Sequence, residues 1–338
     1  MPPRESRARV AVVSLGGTIA AERDPNVARG VTATLAASDL VAGTPQIAEV
    51  AEVTTVALRQ MPSGDLTFED LAELATLVSS LYDEGIDGVV VTQGTDTLEE
   101  TAFALDLLVP TSGALVVSGA MRNPTTPGPD GPANLLGAVR VAATAAARDL
   151  GALVVLGDEI HAARFVTKAH ATRPHAFASP NAGPLGWLVE DRVRLVTRVK
   201  PLVGFTPRPG PAPAVALYRC SLGDDARLIG EIGRLGYDGL VVEGFGGGHV
   251  PGRFVAALSE LATRVPVLIA SRTGAGEVLH DTYGFAGGEI DLAARGLLRV
   301  ASLDGLKARV ALTLALWSDR DHAAQLITSL SEAVAGEC

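Results

Sequence analysis

The chain has 338 residues, 47% of them hydrophobic and 20% charged, a balance that supports an ordinary core and excludes a disordered chain. With 28 basic residues against 38 acidic ones its formal net charge is −10, and without a basic stripe such a surface repels nucleic acid. No apolar run approaches the roughly 18 residues of a membrane span, so no membrane partner is expected.

In chain order, the nine residues from Met1 to Arg9 precede only about six apolar ones, too few for a signal peptide, so a cytoplasmic protein is expected. Runs rich in Val, Ile and Leu at 10–15, 53–58, 88–92, 114–118, 152–156, 214–218, 239–243 and 266–270 predict buried strands. Segments with helical spacing lie between most of them, at 66–82, 97–108, 133–148, 224–235 and 253–262. Strand alternating with helix predicts an α/β fold of mainly parallel sheets flanked by helices. Five prolines (Pro201, Pro207, Pro209, Pro211 and Pro213) within 200–213 exclude helix and central strand there. That stretch is read as a linker between a larger N-terminal α/β domain, 1–199, and a smaller C-terminal one, 214–338, which ends in helices at 303–317 and 323–334. Only Cys220 and Cys338 are present, too few for a disulfide framework or a C-x-x-C site. They are read as a buried small apolar residue and a tail thiol.

Open parallel sheets bind ligands beyond the carboxyl ends of their strands, and three such segments carry reactive groups. After the first strand, Gly16-Gly17-Thr18-Ile19-Ala20 puts a hydroxyl just past two residues without side chains. After the third, Thr92-Gln93-Gly94-Thr95-Asp96-Thr97-Leu98-Glu99-Glu100-Thr101 crowds hydroxyls beside a carboxylate. The spacing of Thr97 and Glu100 predicts a capping box that starts a helix at Thr97 and turns its free N–H groups toward Thr95 and Asp96, where a developing oxyanion is stabilised. The third segment, Arg164-Phe165-Val166-Thr167-Lys168-Ala169-His170, lies in a polar loop. A lysine brought beside a threonine hydroxyl favours the alkoxide or, when neutral, accepts its proton.

These segments, with Gly119-Ala120-Met121-Arg122, Asp130-Gly131-Pro132-Ala133-Asn134-Leu135, Gly183-Pro184-Leu185-Gly186 and Tyr283-Gly284-Phe285, occur in an order that resembles the bacterial L-asparaginase family, threonine amidohydrolases that include glutaminase-asparaginases. The resemblance implies that Thr18 is the nucleophile and that Thr95, Asp96 and Lys168 form the second catalytic group. It also implies that Ser63, in Pro62-Ser63-Gly64-Asp65, receives the substrate carboxylate, and that Asp96, beside Thr95, receives the α-ammonium. The activity so implied is hydrolysis of L-asparagine to L-aspartate and ammonia through a threonine acyl-enzyme, with neither metal nor cofactor. Glu277 has the spacing from Tyr283 of a glutamate that in the family reaches the partner's site, which implies a homodimer or homotetramer. His249 stands where the family often has an asparagine contact.

One departure concerns specificity. Residues 21–34 contain no tyrosine, although the family usually has one there that closes over the substrate; the aligned position falls near Gly30 or Val31. A relaxed pocket implies glutaminase-asparaginase activity as the alternative, one methylene being worth only about 1–3 kcal/mol of discrimination. An amino-acid sensor that keeps the pocket without turnover is the alternative from a different class. Gly244-Phe245-Gly246-Gly247-Gly248-His249 fails as a dinucleotide loop, with Pro251 close behind. The spacings of His161, His170 and His175 fit no helical ligand pair, and no G-x-S-x-G elbow is present.

Overall fold

The computed structural model describes residues 7–22, 32–33, 36–110, 112–202 and 204–336. Gly30, Val31 and Cys338 lie outside the described residues. The chain divides into two compact units, Met1–Pro201 and Leu202–Cys338.

The first unit is built on an eight-stranded sheet in the order Arg192–Leu195, Gly186–Val189, Glu159–Ala162, Ala152–Leu156, Ala114–Ser118, Gly88–Thr92, Ala8–Ser14, Ala51–Ala57. The five strands from Ala152–Leu156 to Ala51–Ala57 are parallel, and the other three are antiparallel. Successive side chains of a strand point to opposite faces, so a continuous apolar run needs a core on each side. Val10, Val12 and Val90 enter one core with Leu135, Ala138 and Val139 of the helix Gly131–Ala142. Ala11, Val13, Val89 and Val91 enter the other, with Leu74 and Val78 of the helix Phe68–Asp83 and Leu105 of the helix Leu98–Leu108. This is the α/β architecture, mainly parallel, that the strand–helix alternation predicts.

Three elements differ from expectation. Glu159–Ala162 and the hairpin Gly186–Val189/Arg192–Leu195 carry no strand expectation, because they are short and at the hairpin edge alternate exposed arginines with half-buried apolar residues, a pattern that guards an edge strand. The helix expected at 133–148 ends at Ala142, followed by a single 3-10 turn at Ala145–Ala147. The helix expected at 224–235 shrinks to Arg227–Ile232. There Asp224 and Asp225 accept from the N–H groups of Ala226 and Arg227 at 3.3 and 3.2 Å, turn bonds that compete with helix.

The second unit has a four-stranded parallel sheet, Val215–Arg219, Gly239–Gly244, Val267–Ser271 and Leu298–Arg299. Tyr218, Leu240, Val242 and Ile269 pack with Ile229, Phe254, Leu258 and buried Cys220. The helix Gly305–Ser318 is buried along most of its length and is capped by Asp304, whose carboxylate accepts from the N–H of Lys307 at 2.9 Å. No helix among the described residues is long and apolar enough to cross a membrane.

Candidate active site

Four adjacent parallel strands of the first unit end side by side. Ser14 pairs with Thr92 on one side and Ala57 on the other, and Thr92 with Ser118. The chain leaves Ala8–Ser14 toward Ala51–Ala57 and later adds Gly88–Thr92 on the opposite side, so the loops after Ser14 and Thr92 begin at a switch in strand order, where open parallel sheets bind ligands. Those loops carry Thr18 and Thr95.

Gly16 and Gly17 hold φ of +99° and +87°, which L side chains rarely adopt, and they turn the chain into the one-turn helix Thr18–Ala20. A side chain at Gly17 would begin 2.0 Å from the Gly94 nitrogen. The backbones of the two threonine loops are therefore in direct contact, one residue short of each threonine. Gly119 backs Thr95 in the same way: a side chain there would begin 2.6 Å from the Gln93 carbonyl oxygen and 3.2 Å from Thr95 Cγ2. Thr95 is buried and Thr18 half-buried.

Lys168 comes from far along the chain. It lies not in an unstructured loop but on a two-residue strand, Thr167–Lys168, opposite Phe177–Ala178. Its Nζ donates to Thr95 Oγ1 at 2.9 Å and to Asp96 Oδ1 at 2.6 Å, across 73 and 72 residues. The lysine side chain is 14% exposed and the Asp96 side chain 82%. A sheltered cation thus touches a buried hydroxyl, while the carboxylate that neutralises it faces solvent.

Ser63 is buried at the start of the turn Ser63–Asp65, and its Oγ lies 2.8 Å from where a side chain at Gly94 would begin. The helix after Thr95 starts at Thr97 as expected, but the capping box does not form. The Thr97 side chain makes no cap bond; its hydroxyl instead donates to the Ser63 carbonyl at 2.8 Å. That bond ties the serine turn to the helix start, a use of Thr97 that local spacing cannot reveal.

Residues 9–200 match the family described as Asparaginase, N-terminal, and residues 214–325 match the Glutaminase/Asparaginase C-terminal domain. The chain belongs to the asparaginase family. An L-asparaginase of Bacillus licheniformis is 34% identical to it over 322 residues, 93% of this chain and 97% of its own. A glutaminase-asparaginase of Pseudomonas fluorescens is 34% identical over 280 residues, 80% of this chain and 76% of its own. The crystal structure of a probable cytoplasmic L-asparaginase from Campylobacter jejuni superposes with a TM-score of 0.85 at 31% identity, covering 95% of this chain and 99% of the other.

Within this family member the segment Gly119–Asn134 acquires a structural role that its motif alone does not state. Asp130 accepts from the N–H groups of Met121 and Arg122 at 3.1 and 2.8 Å and from Asn134 Nδ2 at 3.1 Å. Buried Asn134 also donates to the Gly119 carbonyl at 3.0 Å and accepts from the Gly157 N–H at 3.0 Å. The clasp holds the wall behind Thr95. Two polar residues at helical spacing, Asp130 and Asn134, are the signal that could have pointed to it.

His249 and Glu277 belong to the second unit. The His249 ring meets Tyr283 and Phe285 edge-on, with centroids 5.0 and 5.2 Å away, and its Nε2 lies 3.0 Å from Glu289 Oε2. Burial pushes the Glu289 carboxyl up, but the N–H groups of Tyr283, Glu289 itself and Thr282, with His249, outweigh it and hold the group below its ordinary value. Glu277 is exposed. Of the other histidines, His161 is buried against Ser179 Oγ at 3.0 Å, and burial lowers its pKa against the opposing pull of Glu159. His170 Nδ1 accepts from the N–H groups of Thr172 and Arg173. Among the described residues no group of three or more His, Cys, Asp or Glu could hold a metal ion.

Proposed function

We propose that the chain hydrolyses L-asparagine to L-aspartate and ammonia, with Thr18 and Thr95, Asp96 and Lys168 as its catalytic groups. The observation that carries this is the bond from Lys168 Nζ to Thr95 Oγ1 beside Asp96, in a loop whose backbone touches that of Thr18. Membership of the asparaginase family supports it. Thr18 Oγ attacks the side-chain amide carbon. Its proton passes by way of the Thr95 hydroxyl and the Lys168 amine to the departing nitrogen, which leaves as ammonia. Water then cleaves the threonine ester by the reverse relay, releasing aspartate. The buried Ser63 hydroxyl receives the substrate carboxylate, and the solvent-facing Asp96 carboxylate receives the α-ammonium.

The enzyme works in the cytoplasm as a homodimer or homotetramer, with Glu277 and His249 contributing at a neighbouring site. This part of the proposal rests on the family resemblance and on the Campylobacter relative's name. A second reading, hydrolysis of L-glutamine as well, is favoured by the absence of tyrosine from residues 21–34 and by the similarity to a glutaminase-asparaginase.

A coupled ammonia assay on both amino acids tests the proposal. Thr18→Ala and Thr95→Ala proteins that keep the native melting profile are expected to lose about 10²–10⁴-fold in kcat. Unchanged ammonia release in both overturns the mechanism, and asparagine binding without release by the native protein replaces it with the sensor reading.

A further inference from the structure

A second contact joins the same two segments that meet at Lys168 and Thr95. Asp106 lies in the helix Leu98–Leu108, whose start follows Thr95 and Asp96, and Arg164 lies four residues before Lys168. Arg164 Nη2 donates to Asp106 Oδ2 at 3.3 Å, with the two side chains 4% and 1% exposed. The other oxygen of Asp106 accepts from the N–H of Ala152 at 2.8 Å, at the start of the strand Ala152–Leu156. Past Arg164 the chain is held by bonds from the N–H groups of Phe165 and Val166 to the Ala162 carbonyl at 3.0 and 3.1 Å. Fully buried Val166 follows, and then the strand with Lys168.

This pair is an expensive way to stabilise a core. Burial pushes the Asp106 carboxyl above its ordinary value against the pull of Arg164 and the Ala152 N–H, and buried Arg164 Nε has no hydrogen-bond partner among the described residues. Apolar residues of similar volume are often as stabilising as a buried ion pair or more so. What they lack is direction: an ion pair holds two segments in one register, whereas apolar packing tolerates sliding.

We propose that the buried Arg164–Asp106 pair positions Lys168, holding the segment that carries the lysine in register with the helix Leu98–Leu108, whose start follows Thr95 and Asp96. This deepens the asparaginase reading and rests on it for the role of Lys168. Arg164 and Asp106 act through the lysine; they are positioning residues.

The test compares Asp106→Asn with the double variant Asp106→Leu, Arg164→Met, which removes both charges and restores apolar volume. Three readouts are taken: the melting temperature; kcat and KM for asparagine across pH; and the rate of reductive methylation at Lys168, mapped by mass spectrometry. In both variants kcat is expected to fall about 100-fold, the effect of roughly 1 Å of misplacement, with KM within about twofold of the native value. Lys168 is expected to methylate faster in both, and the double variant, which leaves only the Ala152 N–H without its acceptor, to melt above Asp106→Asn, which leaves the Arg164 charge buried and unpaired, without recovering kcat. If the folded double variant shows native kcat and native methylation, the pair serves stability alone and the proposal fails. The double variant decides the matter if Asp106→Asn does not fold. Native protein that releases no ammonia from asparagine overturns the asparaginase reading, while methylation at Lys168 still reports on the pair.

Discussion

Replacing Gly17 by alanine tests the convergence of the two threonine loops most directly. The backbone there has φ of +87°, and the new Cβ would lie 2.0 Å from the Gly94 nitrogen and 2.4 Å from its Cα. Ordinary contact begins near 3.4 Å, so the loops must part by about 1.4 Å. The left-handed backbone costs about 1–2 kcal/mol for a residue with a side chain, and forcing a methyl into packed atoms adds about 1–3 kcal/mol. The expected loss of stability is therefore about 2–5 kcal/mol, read from urea denaturation. The greater effect falls on catalysis, because a shift of about 1 Å in a reacting group costs on the order of 100-fold in rate. Gly223→Ala is the control: its φ is +81° but nothing lies within 4 Å of the added carbon. It carries the backbone cost alone, and its kcat for ammonia release from asparagine stays native. A folded Gly17→Ala protein with kcat within about twofold of native refutes the claim that contact between the loops sets the threonines for reaction.

Two further outcomes follow from the hydrogen-bond geometry. Asn134→Leu strips partners from the Gly119 carbonyl and the Gly157 N–H, each worth about 1–3 kcal/mol when left unpaired; the melting temperature should fall and kcat with it, and a native melting temperature contradicts the clasp. For Glu289, held below its ordinary value of 4.5, the unfolded chain takes up the proton more readily than the folded one. Its stabilisation is complete above that value and is lost as the pH falls through the folded value. Glu289→Gln should therefore be less stable than native at neutral pH, with the gap in urea denaturation closing in acid; a gap that stays constant rules the argument out.

The sequence was most informative where the signal was local. Gly88–Thr92, Ala114–Ser118 and Ala152–Leu156 form strands at the residues their apolar runs mark, since a doubly buried strand must be apolar on both faces. It was least informative in Glu159–Ala162, a short strand with a glutamate and a histidine among its four residues, and in the hairpin ending at Leu195, where arginines at the sheet edge obscure the pattern. At the site, the motifs singled out Thr18, Thr95, Asp96 and Lys168 through a family resemblance. No local rule could pair Asp106 with Arg164, although an aspartate inside Phe103-Ala104-Leu105-Asp106-Leu107-Leu108 already marks a buried charge in need of a partner.

By itself, then, the sequence determined the α/β class, the run of parallel strands and the hydroxyls, carboxylate and amine available after them. These follow from side-chain periodicity and from residue chemistry, which act over a few neighbouring positions. Only the tertiary structure decided that Lys168 reaches Thr95 across 73 residues, that the Thr97 hydroxyl goes to Ser63 and that two glycine-bearing loops touch. Those contacts depend on the order in which strands pair. That order is set by burial summed over the whole unit, which a local pattern does not contain.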